Sequence, residues 1–304
     1  MSQRAARTVE LLPGVSVLVR GWLHGNSVLL HGDAPALIDT GYHTGAAELL
    51  AWIDERLGGA PVAEVLLTHV HSDHGGGVSA LREAGSVRVR GSASAHDLVE
   101  RWDERGLWLG SSGQQMPRFR LDGAFAPGEV VEAAGRRFRV VATPGHMRCA
   151  VALFCEADGL LVTGDALWKN GFGMLDPWVE GDDCFALAAE ALASLRALDG
   201  VKVVVPGHGM PFEDFAGALD RAEARLAPLR DDPDLIRKAV AQNGVGFLGM
   251  ARPELGLEGL SAAVRAMVDE HPPLRPGPGT PSAEALVQEA FVTMAARYAR
   301  APGQ

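Results

Sequence analysis

Residues 68–77 read THVHSDHGGG, and the other candidate functional residues of the chain are interpreted from this stretch. An apolar run at residues 65–67 precedes it and is typical of a buried strand, whereas residues 78–84 follow with a helical pattern. The stretch is therefore predicted to be a loop at a strand end, and loops on a rigid scaffold often carry catalytic side chains. Four of its side chains are candidate metal ligands: His69, His71, Asp73 and His74.

These four side chains have the chemistry and the spacing of a metal site. Imidazole nitrogen together with carboxylate oxygen suits zinc, and also iron or manganese. The spacing allows His69 and His71 to converge on one ion while Asp73 and His74 turn toward a second. The alternative is a polar turn with three solvated histidines. We favour the metal site, because three histidines within six positions are far more than expected by chance in a turn.

Three later segments supply further ligands in a common setting, directly after a β-type run and beside a glycine. They read TPGH at residues 143–146, TGD at residues 163–165 and PGHG at residues 206–209. Glycine allows a close approach of the backbone. Each segment alone is a weak signal. Together with the first stretch, His146, Asp165 and His208 indicate one metal centre.

In this order the motifs resemble the metallo-β-lactamase superfamily of hydrolases. Its pattern is H-x-H-x-D-H, followed by a histidine, a bridging aspartate and a final histidine. The resemblance covers about residues 15–211 and implies a two-metal site of the glyoxalase-II-like or lactonase-like type. Zinc is the metal expected at both positions, with iron or manganese as alternatives.

The resemblance also assigns the ligands. It implies one ion held by His69, His71 and His146, a second held by Asp73, His74 and His208, and Asp165 bridging the two. Asp39, in the sequence IDTG at residues 38–41, resembles the family's aspartate that supports the ligands from behind.

The implied fold is of the α/β (α+β) class, a four-layer αβ/βα sandwich with helices outside two sheets. The alternation of strand and helix patterns agrees with it, although periodicity alone allows other α/β folds. Residues 1–211 are expected to form the catalytic domain. Residues 212–304 read as a helical C-terminal extension, which either narrows access to the metals or only caps the fold.

Composition narrows the choice of partners. The 304 residues carry a net charge of −10, which works against binding a phosphate backbone. No apolar run reaches the length of a membrane span, and residues 1–10 lack the apolar core of a signal peptide. The three cysteines form no C-x-x-C pair. We expect a cytoplasmic enzyme with a small-molecule substrate, no nucleic acid, no membrane, and a homodimer as the one assembly considered.

The implied reaction is hydrolysis of an ester, thioester or lactone. Two ions would share a bridging hydroxide, derived from water whose pKa they lower from about 15.7 to roughly 7. Asp73 and Asp165 are expected to orient it and to pass a proton to the leaving group. No G-x-S-x-G motif occurs in the chain, so no serine nucleophile is expected.

Two loops are predicted to border the substrate, residues 106–128 and residues 168–178. Quorum-signal lactonases of the superfamily place a tyrosine where this chain has Trp168. Glyoxalase-II enzymes have basic residues in the loop that corresponds to residues 169–181, which is acidic here because Asp176, Glu180 and the following Asp182 stand against one lysine. The four apolar side chains expected to face an apolar acyl or aromatic group are Trp168, Phe172, Met174 and Trp178, with plain packing as the alternative.

Two other functions stay open. One is a mononuclear iron oxygenase resembling the persulfide dioxygenases, which the complete set of ligands disfavours. The other is a nucleic-acid-processing or non-catalytic module, which the negative charge disfavours. Fold alone does not separate these functions from a hydrolase.

Overall fold

The computed structural model describes residues 6–21, 23–109, 113–255, 258–263, 282, 285–290 and 292–293. Within these residues two β-sheets form the centre of the molecule. Parts of the predicted helical extension, residues 264–281 and 294–304, lie outside the described residues. No described helix has both the length and the apolar character needed to cross a bilayer.

The first sheet has seven strands that follow the chain order. Its antiparallel part consists of β1 (Arg7–Leu12), β2 (Val15–Val19), β3 (Ser27–Leu30) and β4 (Ala36–Ile38). The strands that continue in parallel from β4 are β5 (Glu64–Leu66), β6 (Arg88–Ser92) and β7 (Gly123–Phe125). Parallel neighbours need crossover connections, and here these contain α1 (Ala46–Leu57), α2 (Ser72–Gly75), α3 (Val78–Ala84) and α4 (Ala93–Arg101).

The second sheet has five strands in the order β12-β11-β10-β9-β8. Its antiparallel strands are β8 (Val130–Ala133), β9 (Arg136–Ala142), β10 (Val151–Cys155) and β11 (Leu160–Gly164). The last strand, β12 (Val203–Pro206), runs parallel to β11 after α5 (Pro177–Glu180) and α6 (Cys184–Arg196). Two longer helices follow, α7 (Phe215–Asp231) and α8 (Pro233–Ala251).

Strand β10 shows how its sequence fits a position between two layers. All five of its residues, VALFC, are buried. Val151, Leu153 and Cys155 lie in the apolar layer between the sheets, whereas Ala152 and Phe154 lie in the layer beneath the outer helices. Successive strand residues point to opposite faces, so a strand covered on both sides reads as an unbroken apolar run.

Helices cover the outer face of each sheet. Leu49 of α1 shares an apolar cluster with Leu37 of the first sheet. On the opposite side, Leu192 of α6 and Leu219 of α7 share a cluster with Leu161 of the second sheet. The layers therefore run helix, sheet, sheet, helix, which confirms the predicted αβ/βα sandwich.

The sequence-based description differs from the structure near the N-terminus. The sequence predicts for residues 1–10 only that they lack the apolar core of a signal peptide, yet β1 begins at Arg7 and pairs with β2 at the edge of the first sheet. Most of its side chains are exposed or half-buried, which explains why the segment lacks a core-strand pattern. The predicted domain division at residue 211 stays a prediction.

Candidate metal centre

The seven predicted ligands meet at one end of the sandwich, just past the ends of strands from both sheets. His69 to His74 follow β5 and lead into α2, while the other three side chains follow β9, β11 and β12. The side chains form three overlapping groups with ligand atoms within 4.8 Å of one another: His69, His71 and His146; His69, His74 and Asp165; and Asp73, His74 and His208. We call these seven residues the ligand floor.

The first group consists of three buried imidazoles. His71 Nδ1 lies 2.8 Å from His146 Nε2, and His69 Nε2 is buried without a hydrogen-bond partner. Two of the remaining ring nitrogens are held by the protein, His69 Nδ1 at 3.1 Å from Thr68 Oγ1 and His146 Nδ1 at 2.6 Å from Met174 O, whereas His71 Nε2 is buried without a hydrogen-bond partner. This is the arrangement that orients histidine ligands, since the second nitrogen fixes the ring.

Burial also sets the charge of these rings. It lowers the pKa of His69 and of His71 well below the ordinary value, and neighbouring histidines lower both further. Burial likewise lowers the pKa of His146. All three are therefore neutral at pH 7, the form in which imidazole binds a metal.

The group of Asp73, His74 and His208, called the second group from here on, combines a carboxylate with two imidazoles. Asp73 Oδ2 lies 3.1 Å from His208 Nε2 and 4.0 Å from His74 Nε2. Burial would lower the pKa of His74, but Asp39, Asp73 and Asp165 raise it well above the ordinary value. Positive charge is thus favoured at this position.

Asp165 lies between the two groups. Its Oδ1 is 3.4 Å from His74 Nε2 and 3.5 Å from His208 Nε2, while its Oδ2 is 3.4 Å from His146 Nε2. Burial would raise the pKa of Asp165, yet His208 and His74 hold it well below the usual range. One carboxylate oxygen therefore faces each group, as a carboxylate that bridges two cations must.

These observations test whether metal ions fit the site. Nε2 of the neutral His69 ring is buried with no hydrogen-bond partner, and two ionised carboxylates stand nearby. A buried unpaired acceptor is costly, and divalent cations would satisfy both this nitrogen and the carboxylates. Nitrogen with carboxylate oxygen is a donor set that zinc accepts. The residues fit two such ions.

Asp39 supports both groups from behind. Its Oδ2 accepts hydrogen bonds at 2.8 Å from His74 Nδ1 and at 2.7 Å from Thr68 Oγ1, and its Oδ1 accepts one at 2.8 Å from Thr68 N. Thr68 Oγ1 in turn contacts His69 Nδ1. One buried carboxylate thus fixes a histidine of each group, from the position predicted for it.

The loop that carries His208 is held by contacts that the sequence did not reveal. Asn26 Nδ2 donates to Pro206 O and to Gly209 O, both at 2.8 Å. A Cβ atom at position 207 would lie 2.1 Å from Asp165 Oδ1, so only glycine fits there. The sequence signals a turn at Asn26, but nothing in it links that turn to a loop 180 residues away.

The family model described as the metallo-beta-lactamase superfamily matches residues 20–208. The chain belongs to the metallo-β-lactamase superfamily. Within it, the chain is 32% identical over 198 residues to a hydroxyacylglutathione hydrolase of Ectopseudomonas mendocina (strain ymp), an alignment that covers 63% of this chain and 65% of that protein. A hydroxyacylglutathione hydrolase of Acidiphilium cryptum (strain JF-5) is 30% identical over 216 residues, with 70% and 76% covered.

Solved structures agree with this superfamily fold. A beta-lactamase domain protein from Burkholderia ambifaria superposes with a TM-score of 0.61 at 23% identity, covering 98% of this chain and 92% of that one. A metallo-beta-lactamase family protein from Thermus thermophilus gives a TM-score of 0.56 at 23% identity, with 88% and 93% covered. At these identities the likeness concerns the fold alone.

A small cavity of about 40 Å³ opens onto the ligand floor of this metallo-β-lactamase superfamily member. Besides five of the seven ligands, the residues around it come from four separate segments. We call them the cavity wall: Leu23, Trp108, Gln114, Trp168, Met174, Asn243 and Phe247.

Of the four side chains predicted to face the substrate, the structure brings two to this cavity. Trp168 and Met174 line it, and Trp168 Nε1 donates to Asp165 Oδ1 at 3.1 Å. Phe172 instead packs in the core beneath α6. Trp178 is 38% exposed and lies under the Arg105 guanidinium. Phe172 and Trp178 are not among the described wall residues.

Five wall residues were not predicted individually. Trp108 and Gln114 belong to residues 106–128, which were expected to border the site as a loop. Asn243 and Phe247 lie on α8, so the C-terminal segment helps to shape the cavity. A helical pattern predicts that α8 exists but does not tell which sheet end it covers.

Proposed function

We propose that the chain is a two-metal hydrolase. His69, His71 and His146 would hold one divalent ion, Asp73, His74 and His208 a second, and Asp165 would bridge them. The observation that carries the proposal is the placement of Asp165, whose two oxygens each lie 3.4 Å from the nearest nitrogen of a different group. Zinc suits this donor set, and iron or manganese are the alternatives.

When bound, the ions would polarise a carbonyl oxygen and make water acidic enough to attack at neutral pH. The remaining work falls to side chains of the floor. Asp73 and Asp165 both line the cavity and are ionised. Each can therefore orient the attacking water by accepting its hydrogen bond, and return a proton to the leaving group.

The substrate we propose is an ester, thioester or lactone with an apolar acyl group. The named relatives are hydrolases of hydroxyacylglutathione, which supports a thioester. No lysine or arginine occurs among the described residues that line the cavity, although the carboxylates of glutathione would favour such a partner. The wall instead offers Leu23, Trp108, Trp168 and Phe247.

Metal analysis and a substrate panel test these two parts separately. Protein expressed with ample metal and purified without chelator should contain two zinc ions per chain. One iron per chain as the only metal would contradict the two-metal proposal. Aryl esters, lactones and apolar acyl thioesters should be hydrolysed, with little turnover of β-lactams. A highest kcat/KM on S-lactoylglutathione would overturn the apolar acyl assignment while leaving the hydrolase intact.

Location and assembly are proposals of the same kind. We propose a cytoplasmic protein, tested by cell fractionation, and a homodimer, tested by light scattering coupled to size exclusion. A mass of one chain across the concentration range would contradict the homodimer.

A further inference from the structure

Glu180 is a buried carboxylate that the proposed hydrolysis does not use. It is 5% exposed and lies at the C-terminal end of the short helix α5. Its Oε1 accepts a hydrogen bond from Trp108 Nε1 at 3.0 Å, and its Oε2 accepts one from Arg148 N at 2.8 Å. Arg148 is two residues past the floor residue His146, so Glu180 joins a wall residue to the loop that carries this histidine.

Trp108 lies directly against the first ligand group. Its ring centroid is 4.4 Å from that of His71 and 5.4 Å from that of His146, and the side chain is 4% exposed. Its φ angle is +58°, a conformation that a bulky residue rarely adopts. Such a backbone persists only where the surroundings hold it, and the bond to Glu180 is one such contact.

Trp168 has the corresponding position at the second ligand group. Its ring centroid is 5.2 Å from that of His208, and its indole N–H is donated to Asp165. Both indoles line the cavity, and both direct their N–H toward a carboxylate of the protein. They therefore offer a substrate aromatic carbon surface, which pairs with other flat rings in offset or edge-on arrangements.

We propose that Trp108 determines acyl specificity by binding a flat, aromatic acyl group, and that Glu180 is the positioning residue that holds its indole in place. This inference rests on the proposed hydrolase function, since it names the acyl group which that site would accept. An aromatic acyl group is favoured over an alkyl chain because two indoles line the same small cavity.

Two thioesters of one thiol measure this preference. S-benzoyl- and S-hexanoyl-N-acetylcysteamine differ in the shape of the acyl group and share the leaving group. Trp108→Leu keeps apolar volume but removes the ring, and should lower the benzoyl-to-hexanoyl ratio of kcat/KM about tenfold through KM. Metal content should stay unchanged. Trp178→Leu is the matched control, because that ring lies outside the cavity, and should leave the ratio as in the wild type.

A double-mutant cycle tests the role of Glu180. Glu180→Gln should lower the same ratio several-fold with little change in kcat for the hexanoyl compound. In a Trp108→Phe background the indole N–H is gone, so Glu180→Gln should then have no further effect on the ratio. Equal effects of Glu180→Gln in both backgrounds would show a general structural role and overturn the positioning assignment.

Binding of the free acids separates this inference from the hydrolase proposal. Calorimetry of benzoate and hexanoate with the metal-loaded protein should show tighter benzoate binding in the wild type, and loss of that preference in Trp108→Leu. If neither thioester is hydrolysed while this preference persists, the proposed thioester hydrolysis fails and the assignment of Trp108 stands. If folded, metal-loaded wild type and Trp108→Leu show the same benzoate-to-hexanoate ratio in binding, the assignment is overturned regardless of activity.

Discussion

The ligand floor and the cavity wall are built in different ways. Each floor residue stands just beyond a strand end, and several are braced by hydrogen bonds, as Asp39 braces His74 at 2.8 Å. The wall is assembled from segments far apart in the chain, from Leu23 to Phe247 of α8. Its rings pack on side chains of other segments, Phe247 on Tyr42 at 5.4 Å between centroids and Trp168 on His208 at 5.2 Å. The floor should thus govern metal binding and the rate of chemistry, and the wall the choice of substrate.

The largest effect is expected at the centre of the floor. Asp165→Asn removes the charge that faces both ligand groups, so kcat should fall by about 100-fold or more, since even outer partners of metal ligands are worth roughly 10- to 100-fold. Activity assays with metal analysis measure this. Urea unfolding of the metal-free protein serves as the folding control and should change far less. Full activity in the variant would refute the bridging role.

A smaller loss is expected one layer behind the ligands. Asp39→Asn keeps the size of the side chain but weakens its bonds to His74 and Thr68, so zinc affinity should fall about 10- to 100-fold in a chelator competition. Asp33→Asn, at an exposed turn, is the matched control and should retain wild-type affinity. Unchanged affinity in Asp39→Asn would mean that the floor is not braced from behind.

The stability of the protein should depend on pH through a histidine at the junction of floor and wall. His24 lies between the wall residue Leu23 and Gly25, whose N–H donates to Asp73 O at 2.9 Å. Burial, with a contribution from Arg20, lowers the pKa of His24 to about 4. The unfolded chain, with a histidine pKa of about 6.5, binds the proton first as pH falls, so stability rises with pH between about 4 and 6.5.

This linkage can be measured by urea unfolding of the metal-free protein. Between pH 7 and pH 5, His24 should account for a loss of about 2 kcal/mol in the free energy of unfolding. His24→Gln should reduce the pH dependence by that amount, with any packing cost appearing equally at pH 8. The same slope in both proteins would show that folding does not lower the pKa of His24.

The smallest expected effect is a difference in KM between variants of two tryptophans in the loop at residues 168–178. Trp168→Ala should raise KM for apolar acyl substrates several-fold without changing metal content, because its ring lines the cavity. Trp178→Ala should leave KM within about twofold, because its side chain is partly in solvent and lies away from the cavity. Equal increases in KM would mean that the wall extends beyond the residues that now define it.

Sequence predicted the floor more completely than the wall. The ligands carry a motif and stand at strand ends, which local patterns locate, and the superfamily, the hydrolase class and the layered fold agree with the comparisons. The wall depends on which face a helix turns inward. Asp176 caps α5 by accepting from Trp178 N at 2.9 Å, and that turn directs Trp178 outward and Glu180 inward. Residue composition predicted an acidic loop there, whereas the carboxylate of Glu180 is buried against Trp108.

Helix α8 contributes Asn243 and Phe247 to the wall but none of the floor residues. Inherited changes on this helix can therefore accumulate without disturbing the metal ligands, whereas position 207 has room for nothing but glycine. We therefore expect the wall residues on α8 to vary more among relatives than the floor residues do, so that the choice of substrate changes more readily than metal binding. An exchange of α8 between relatives would change the wall and leave the floor intact.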